Sequence, residues 1–243
     1  MKYGIFSDVH GNLEALEAVI AAYQGESIDR YLCVGDVVGY GADPCKCIEK
    51  IKSLIPVTVV AGNHDWASID LFSVAYFNPQ AAKAIEWTRR ELDTAAEVFL
   101  RSLPLVHTEE VFTLVHGSLD SPHDFNYIID GYNAEQTFIR MQTAVCFVGH
   151  SHVAGVFVKD ATDRLSYLSE YPIEIKKGNH YLINVGSVGQ PRDGNPRACY
   201  CVFDTDSRKL DIRRAAYNIR SARGKIIKAG LPRFLGDRLL AGQ

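Results

Sequence analysis

Five times in this 243-residue chain a short apolar run stops at a glycine set among Asp, Asn or His. The first run, Tyr3 to Phe6, leads into Ser7-Asp8-Val9-His10-Gly11-Asn12. The second ends at Gly35-Asp36, and the third at Gly62-Asn63-His64-Asp65. The fourth ends at His116-Gly117, and the fifth at Gly149-His150-Ser151-His152. Between the first two, Leu13, Leu16, Val19, Ile20 and Tyr23 recur at helical spacing, with Asn12 as a candidate N-cap. Between the second and third, Asp43-Pro44 opens a helix, with Asp43 as its cap, Pro44 in the first turn and Ile48, Ile51 and Leu54 on one stripe. Strand, helix, strand, helix, strand with connections of this length implies parallel strands and right-handed crossovers. In such sheets ligand sites gather at the carboxyl ends of the strands. The recurring tips are therefore expected to converge on one site.

The remaining chain is expected to complete an α/β domain. Residues 66–101 read as mostly helical, with one helix starting at Asn78-Pro79 and another capped by Asp93. Residues 105–107 and 111–115 form a hairpin around Glu109-Glu110, 119–132 a long loop, and 134–141 a short helix. Six short strand-like segments follow between 156 and 213, separated by Gly, Asp and Asn. They suggest antiparallel strands completing a second sheet. Residues 186–194 form a Gly/Pro-rich loop among them, and 218–241 two short helices broken at Gly230-Leu231-Pro232. With no repeat, low-complexity tract or linker, residues 1–243 read as a single domain.

Composition narrows the function classes. A net charge of −3 and no Lys/Arg cluster around the motifs count against nucleic acid as a partner. No apolar run approaches the roughly 18 residues a membrane span needs, and no secretory leader is read at Met1-Lys2. The six cysteines contain no C-x-x-C pair. They are expected to be reduced thiols, mostly buried, in a cytoplasmic protein.

Asp8 and His10 share one side of an extended segment and can converge on one cation. With Asp36, Asn63, His116, His150 and His152 they make a donor set for two divalent metals sharing one carboxylate, for which Asp36 is the natural bridge. Two metals roughly 3.5–4 Å apart clamp an in-line displacement at phosphorus and acidify a bound water. Mixed imidazole, carboxylate and amide donors suit Mn, Fe, Zn or Ni better than Mg or Ca. His107, His123 and His180 belong to no motif and are read as structural.

These motifs resemble the calcineurin-like metallophosphoesterases, whose signature is D-x-H, G-D-x-x-x-x-G, G-N-H-[DE], a later H, and G-H-x-H. Here it is Asp8-Val9-His10, Gly35-Asp36 to Gly41, Gly62-Asn63-His64-Asp65, His116 and Gly149-His150-Ser151-His152. The loop Gly186-Ser187-Val188-Gly189-Gln190-Pro191-Arg192 is similar to the bacterial single-domain, phosphodiesterase-like branch. Val185 and Leu119 stand where that branch often has Pro, off the ligand positions but where substrate fit can change.

The resemblance implies a four-layer αββα sandwich of two mixed sheets flanked by helices. It implies one metal on Asp8, His10, Asp36 and His152 and another on Asp36, Asn63, His116 and His150, with Mn favoured. His64 would be a catalytic, non-ligand histidine that supports phosphate binding and protonates the leaving alkoxide, and Asp65 would orient it. Asn12 and Arg192 are candidate phosphate contacts, Arg because its fork suits phosphate oxygens. The expected activity is hydrolysis of a small phosphodiester or nucleotide by metal-generated hydroxide. The loops at 66–78 and 119–132 would form the pocket rim, with Phe125, Tyr127 and Tyr132 available to stack on a base. A phosphomonoesterase, a protein phosphatase, a nuclease and a non-catalytic scaffold (as in the retromer subunit that resembles this family) are the alternatives. Family likeness offers dimers and tetramers equally as a homo-oligomer.

Overall fold

Consecutive strand residues face opposite sides of their sheet, and the first strand already buries both. In the computed structural model, which describes residues 1–243, β1 (Lys2–Phe6) places Ile5 in one apolar cluster and Phe6 in another. The strands that follow are β2 (Arg30–Cys33), β3 (Val57–Val59), β4 (Val106–Thr108), β5 (Phe112–Val115) and β6 (Val145–Val148). After them come β7 (Gly155–Lys159), β8 (Leu165–Leu168), β9 (Ile173–Glu174), β10 (His180–Asn184), β11 (Ala198–Asp204) and β12 (Lys209–Ala215). One six-stranded sheet has the order β3-β2-β1-β11-β12-β9 and the other β4-β5-β6-β10-β7-β8. Both are mixed: β1 pairs parallel with β2 and antiparallel with β11, and β10 pairs parallel with β6 and antiparallel with β7.

The helices are α1 (Leu13–Tyr23), α2 (Pro44–Lys52), α3 (Asn63–Ala67), α4 (Pro79–Glu91), α5 (Thr94–Ser102), α6 (Gly131–Arg140), α7 (Ile219–Lys228) and α8 (Arg233–Asp237). Ile5, Leu32, Phe112, Phe147 and Phe203 fill the space between the sheets. Phe6, Cys33 and Val202 face outward against Leu16 and Val19 of α1 and Ile48 of α2. On the far side, Cys146, Val148 and Leu182 pack on Ala134 and Phe138 of α6. The layers are thus helix, sheet, sheet, helix, as expected for a four-layer αββα sandwich.

Local chemistry explains the helix starts. Asn12, Asn78 and Asp93 accept backbone N–H bonds at the first turns of α1, α4 and α5. Asp43 departs from expectation. It makes no cap bond at α2, because Lys225 at 2.6 Å and Lys46 at 2.9 Å take its carboxylate.

The later strands also correct the sequence reading. They do not all join the second sheet: β9, β11 and β12 extend the first, and β10 lies parallel to β6. β11 buries alternate residues on both faces, Cys199, Cys201 and Phe203 inward and Ala198, Tyr200 and Val202 toward the helices. Such a strand requires cover on both sides, which the place beside β1 supplies.

Tyr23 ties these layers together. Its buried hydroxyl donates toward Ile5 O at 2.8 Å and lies 3.2 Å from Cys201 O. Tyr23→Phe is expected to cost about 1–1.5 kcal/mol. In urea titration the midpoint should fall at unchanged slope; an unchanged midpoint would show that the hydroxyl adds nothing.

Candidate active site

The strand tips meet at the carboxyl ends of β1, β2, β3, β5 and β6. Asp8, His10, Asp36, His150 and His152 all have φ between 51° and 67°. This left-handed backbone is uncommon for non-glycine residues, costs free energy, and persists only where the surroundings enforce it. Here it turns each side chain off its strand and into a common centre. The glycines beside them make room. A Cβ at Gly62 would collide with the Asp36 carboxylate, and one at Gly149 with Ser7 and Asp8.

The side chains converge closely. His152 Nε2 lies 3.1 Å from Asp8 Oδ1, and His116 Nε2 lies 3.2 Å from Asp36 Oδ2. His10 Nε2 is 3.6 Å from Asp36 Oδ2 and 3.7 Å from Asp8 Oδ1. Three donor groups form: Asp8, His10 and His152; Asp36, His116 and His150; and His10, Asp36 and His64. All of these residues are buried. Asp36 sits between two of the groups. Its Oδ1 accepts the His64 backbone N–H at 2.8 Å, leaving Oδ2 toward the imidazoles.

The residues fit cations. His10, His116 and His152 place Nδ1 against backbone oxygens of Val38, Val34 and Gln190, at 3.1, 2.7 and 2.6 Å. A carbonyl can only accept, so each Nδ1 carries the proton and each Nε2 presents a lone pair, the usual tautomer of a metal-binding histidine. Two such lone pairs, on His10 and His152, then face each other at 3.0 Å. Neutral acceptors repel at that distance, and a cation removes the conflict. Asn63 Oδ1 is buried without any hydrogen-bond partner, and His116 Nε2 makes no well-aligned hydrogen bond although Asp36 Oδ2 lies 3.2 Å away, which costs free energy unless something binds them.

Electrostatics agree. Burial works against the Asp8 and Asp36 charges, yet the surrounding imidazoles outweigh it and hold both carboxyls below their usual range. Burial likewise opposes charge on His116, but Asp36 and Asp8 raise it to about 10. The uncompensated negative charge thus draws a proton where a cation would sit. Burial pulls His150 down to about 3 and His152 to about 4, keeping both neutral as ligands must be.

His64 and its neighbours depart from expectation. Its Nδ1 is buried and unpartnered, and Asp65 does not hydrogen-bond to it. Asp65 instead accepts the backbone N–H groups of Val38 at 3.1 Å and Gly62 at 3.0 Å, closing the start of α3 onto the β2 tip. Packing positions the His64 ring, with Tyr40 at 4.4 Å, His10 at 4.8 Å and Phe77 at 4.9 Å between centroids. Burial holds its imidazole neutral, well below its usual range. Asn12 is not brought to the cleft. It caps α1 and donates to Gly189 O at 2.8 Å, so its polar atoms are engaged in the fold. Arg192 does approach. It donates to Gln190 Oε1 at 2.9 Å, its guanidinium lies 5.8 Å from the Tyr40 ring, and its Nε is buried without a partner.

A cleft of about 450 Å³ opens above His64 and His150. Its rim comes from the two expected loops: Phe72, Tyr76 and Phe77 on one side, Phe125 and Tyr127 on the other. Tyr132 lies outside it and is exposed. The sequence reading missed Tyr40, which lies among the variable positions of its motif, and the Gln190 carbonyl that orients His152. Only the Gly/Pro-rich texture of 186–194 signalled the latter.

With this centre on a four-layer α/β sandwich, the chain belongs to the calcineurin-like phosphoesterase superfamily, whose domain model matches residues 1–208. It is thus a member of a family of metal-dependent hydrolases of phosphoric esters. Among its relatives, the uncharacterized protein MJ0912 of Methanocaldococcus jannaschii is 40% identical over 98% of this chain and 97% of its own. A metallophosphoesterase from Sphaerobacter thermophilus is 38% identical, with a TM-score of 0.88, over 100% of this chain and 99% of its own. The phosphodiesterase YfcE of Escherichia coli is 24% identical over 85% of this chain and 89% of its own. Residues 209–243 lie beyond the family match. Within them Ala222 and Ile226 of α7, Leu235 of α8 and Leu239 just after it pack with Tyr40, bracing the loop that touches His64. No helix is long and apolar enough to cross a membrane.

Proposed function

We propose that this protein is a dinuclear metal-dependent phosphoesterase that hydrolyses a small phosphodiester. The observation that carries the reading is the pair of donor groups Asp8–His10–His152 and Asp36–His116–His150, joined where His10 Nε2 lies 3.6 Å from Asp36 Oδ2, with Asn63 Oδ1 buried and unpaired. Asp8, His10, Asp36 and His152 would hold one cation, and Asp36, Asn63, His116 and His150 the other. Mn, Fe, Zn and Ni fit these mixed donors, with Mn the first to test. When bound, such a pair supplies positive charge to the phosphoryl oxygens and acidifies water enough for attack near neutral pH.

The protein's own groups do the rest. The three Nδ1–H donors to backbone oxygens fix the ligand rings before substrate arrives. His64, on the cleft wall with a free Nδ1, is in place to hold the proton that the leaving oxygen needs. Arg192 stands beside Tyr40, its guanidinium 5.8 Å from that ring and its Nε–H unpartnered, where it could meet a phosphate oxygen. The similarity to YfcE supports a diester, and six free cysteines, five of them buried, suit a reducing compartment such as the cytoplasm.

The test is hydrolysis of bis(p-nitrophenyl) phosphate against p-nitrophenyl phosphate by metal-stripped protein reloaded with Mn. The diester is expected to be cleaved faster, with solvent oxygen-18 entering the product in a single turnover. His64→Ala should lower kcat by about 10²- to 10⁴-fold, the usual contribution of a general acid, while bound metal stays unchanged. Absence of oxygen-18 from the product would sink direct attack by water. A full metal load with neither ester cleaved would sink the activity.

A further inference from the structure

From the two aromatic walls of the cleft and its lack of cationic residues, we infer that the substrate is a diester with a single phosphate and a flat ring, a nucleobase or aryl group, held between those walls. This rests on the phosphoesterase reading and narrows it.

A chain of ring contacts runs outward from the metal centre. His10 touches Tyr40 at 4.6 Å, Tyr40 touches His64 at 4.4 Å, and His64 meets Phe77 at 4.9 Å. Phe77 meets Phe72 at 5.8 Å, and Phe72 meets Tyr76 at 5.3 Å. Tyr76 ends this wall with 79% of its surface exposed. On the opposite side Tyr127 lies flat on His150, with centroids 3.8 Å apart, and is 48% exposed. Phe125, on the same loop, is buried against Trp66 and against Phe72, where the two walls meet. Tyr76 rests on half-buried Phe72 and Tyr127 on buried His150, and stacking on such exposed rings is available to any flat heterocycle. The cleft volume of about 450 Å³ is that of a site for one small organic group.

Polar chemistry gives the rest. The lining includes the amides of Asn78 and Asn126. Asn78 uses only its oxygen, for the α4 cap, which leaves its NH₂ free, and the Asn126 side chain makes no hydrogen bond. Free amides can meet the edge of a base with both donors and acceptors. The lining contains no Lys or Arg, and its one carboxylate, Asp124, repels further anions. A phosphodiester brings one negative charge, which the centre and Arg192 can meet. A polyphosphate chain brings several, and phosphate groups beyond the attacked one would find no cationic partner here.

The experiment uses three diesters with one non-aromatic leaving group: the methyl, tetrahydrofurfuryl and thymidine-5′ esters of 2,2,2-trifluoroethyl phosphate, with Mn-loaded protein and trifluoroethanol release followed by fluorine NMR. Each kcat/KM is divided by the ester's alkaline hydrolysis rate. The thymidine ester is expected to exceed the other two by at least about tenfold, a modest share of one base stack. Tyr76→Ala and Tyr127→Leu should each bring that ratio down several-fold, while Tyr132→Ala, outside the cleft, should keep it. Hydrolysis of all three at equal normalised rates would overturn the ring inference and leave the phosphoesterase reading intact. A ratio that survives both cleft substitutions would overturn it too. Inhibition by thymidine triphosphate at least tenfold tighter than by the monophosphate, with Mn in excess, would overturn the single-phosphate claim. If none of the three esters is cleaved by protein carrying both metals, the reading beneath fails and the inference falls with it.

Discussion

Asp36→Asn is expected to lower kcat/KM for bis(p-nitrophenyl) phosphate on the order of a thousandfold and to reduce bound metal. Asp36 is the one carboxylate shared by two donor groups, with His116 Nε2 at 3.2 Å and His10 Nε2 at 3.6 Å from its Oδ2. Asparagine keeps the shape and removes the charge. A thousandfold corresponds to about 4 kcal/mol at the transition state, within what cation clamps supply. The substitution also weakens the acceptor for the His64 N–H, now at 2.8 Å, so the start of α3 will feel it. Metal content by mass spectrometry, measured on the same sample as the kinetics, separates the causes. Full activity with a full metal load would rule Asp36 out as the shared ligand. Full metal with lost activity would point instead to a displaced His64.

Stripping the metals is expected to lower the melting temperature by on the order of 10 °C, with recovery on adding Mn. Ligand binding to the folded state alone stabilises by about 4 kcal/mol at a thousand times Kd, and for a chain of this size each kcal/mol moves the midpoint by about 2–4 °C. The physical source is specific. Without cations, two acceptor nitrogens oppose each other at 3.0 Å, and Asn63 Oδ1 is buried unpaired. Five of the converging residues also sit in left-handed backbone. Differential scanning fluorimetry with and without chelator reads the shift. A chelated protein that melts at the same temperature would mean that the fold carries this strain without help from the metals.

The candidate metal donors were legible because strand tips in an α/β sheet share one end, and because Asp, Asn and His recur there after glycine. The Asp65 role was not. Its neighbour His64 is adjacent in sequence, but helix geometry turns the Asp65 carboxylate back onto Gly62 N and across to Val38 N. Asn12 was open to two readings, cap or phosphate contact, and the capping geometry uses up its amide. Tyr132, Tyr127 and Phe125 looked alike as loop aromatics. Packing made one a buried anchor, one a ring stacked on His150, and one an exposed residue away from the cleft.

Residue order alone dictated the α/β class, the parallel start of the first sheet and the glycine-flanked donors, because periodicity and turn chemistry act within a few residues. The division of the late strands between sheets was decided by tertiary packing: β11 is apolar on both faces and needed a place beside β1 that no local signal names. The aromatic walls around His64 were decided the same way. Their rings come from loops about 50 residues apart, and only the closed sandwich brings Phe72 within 5.2 Å of Phe125.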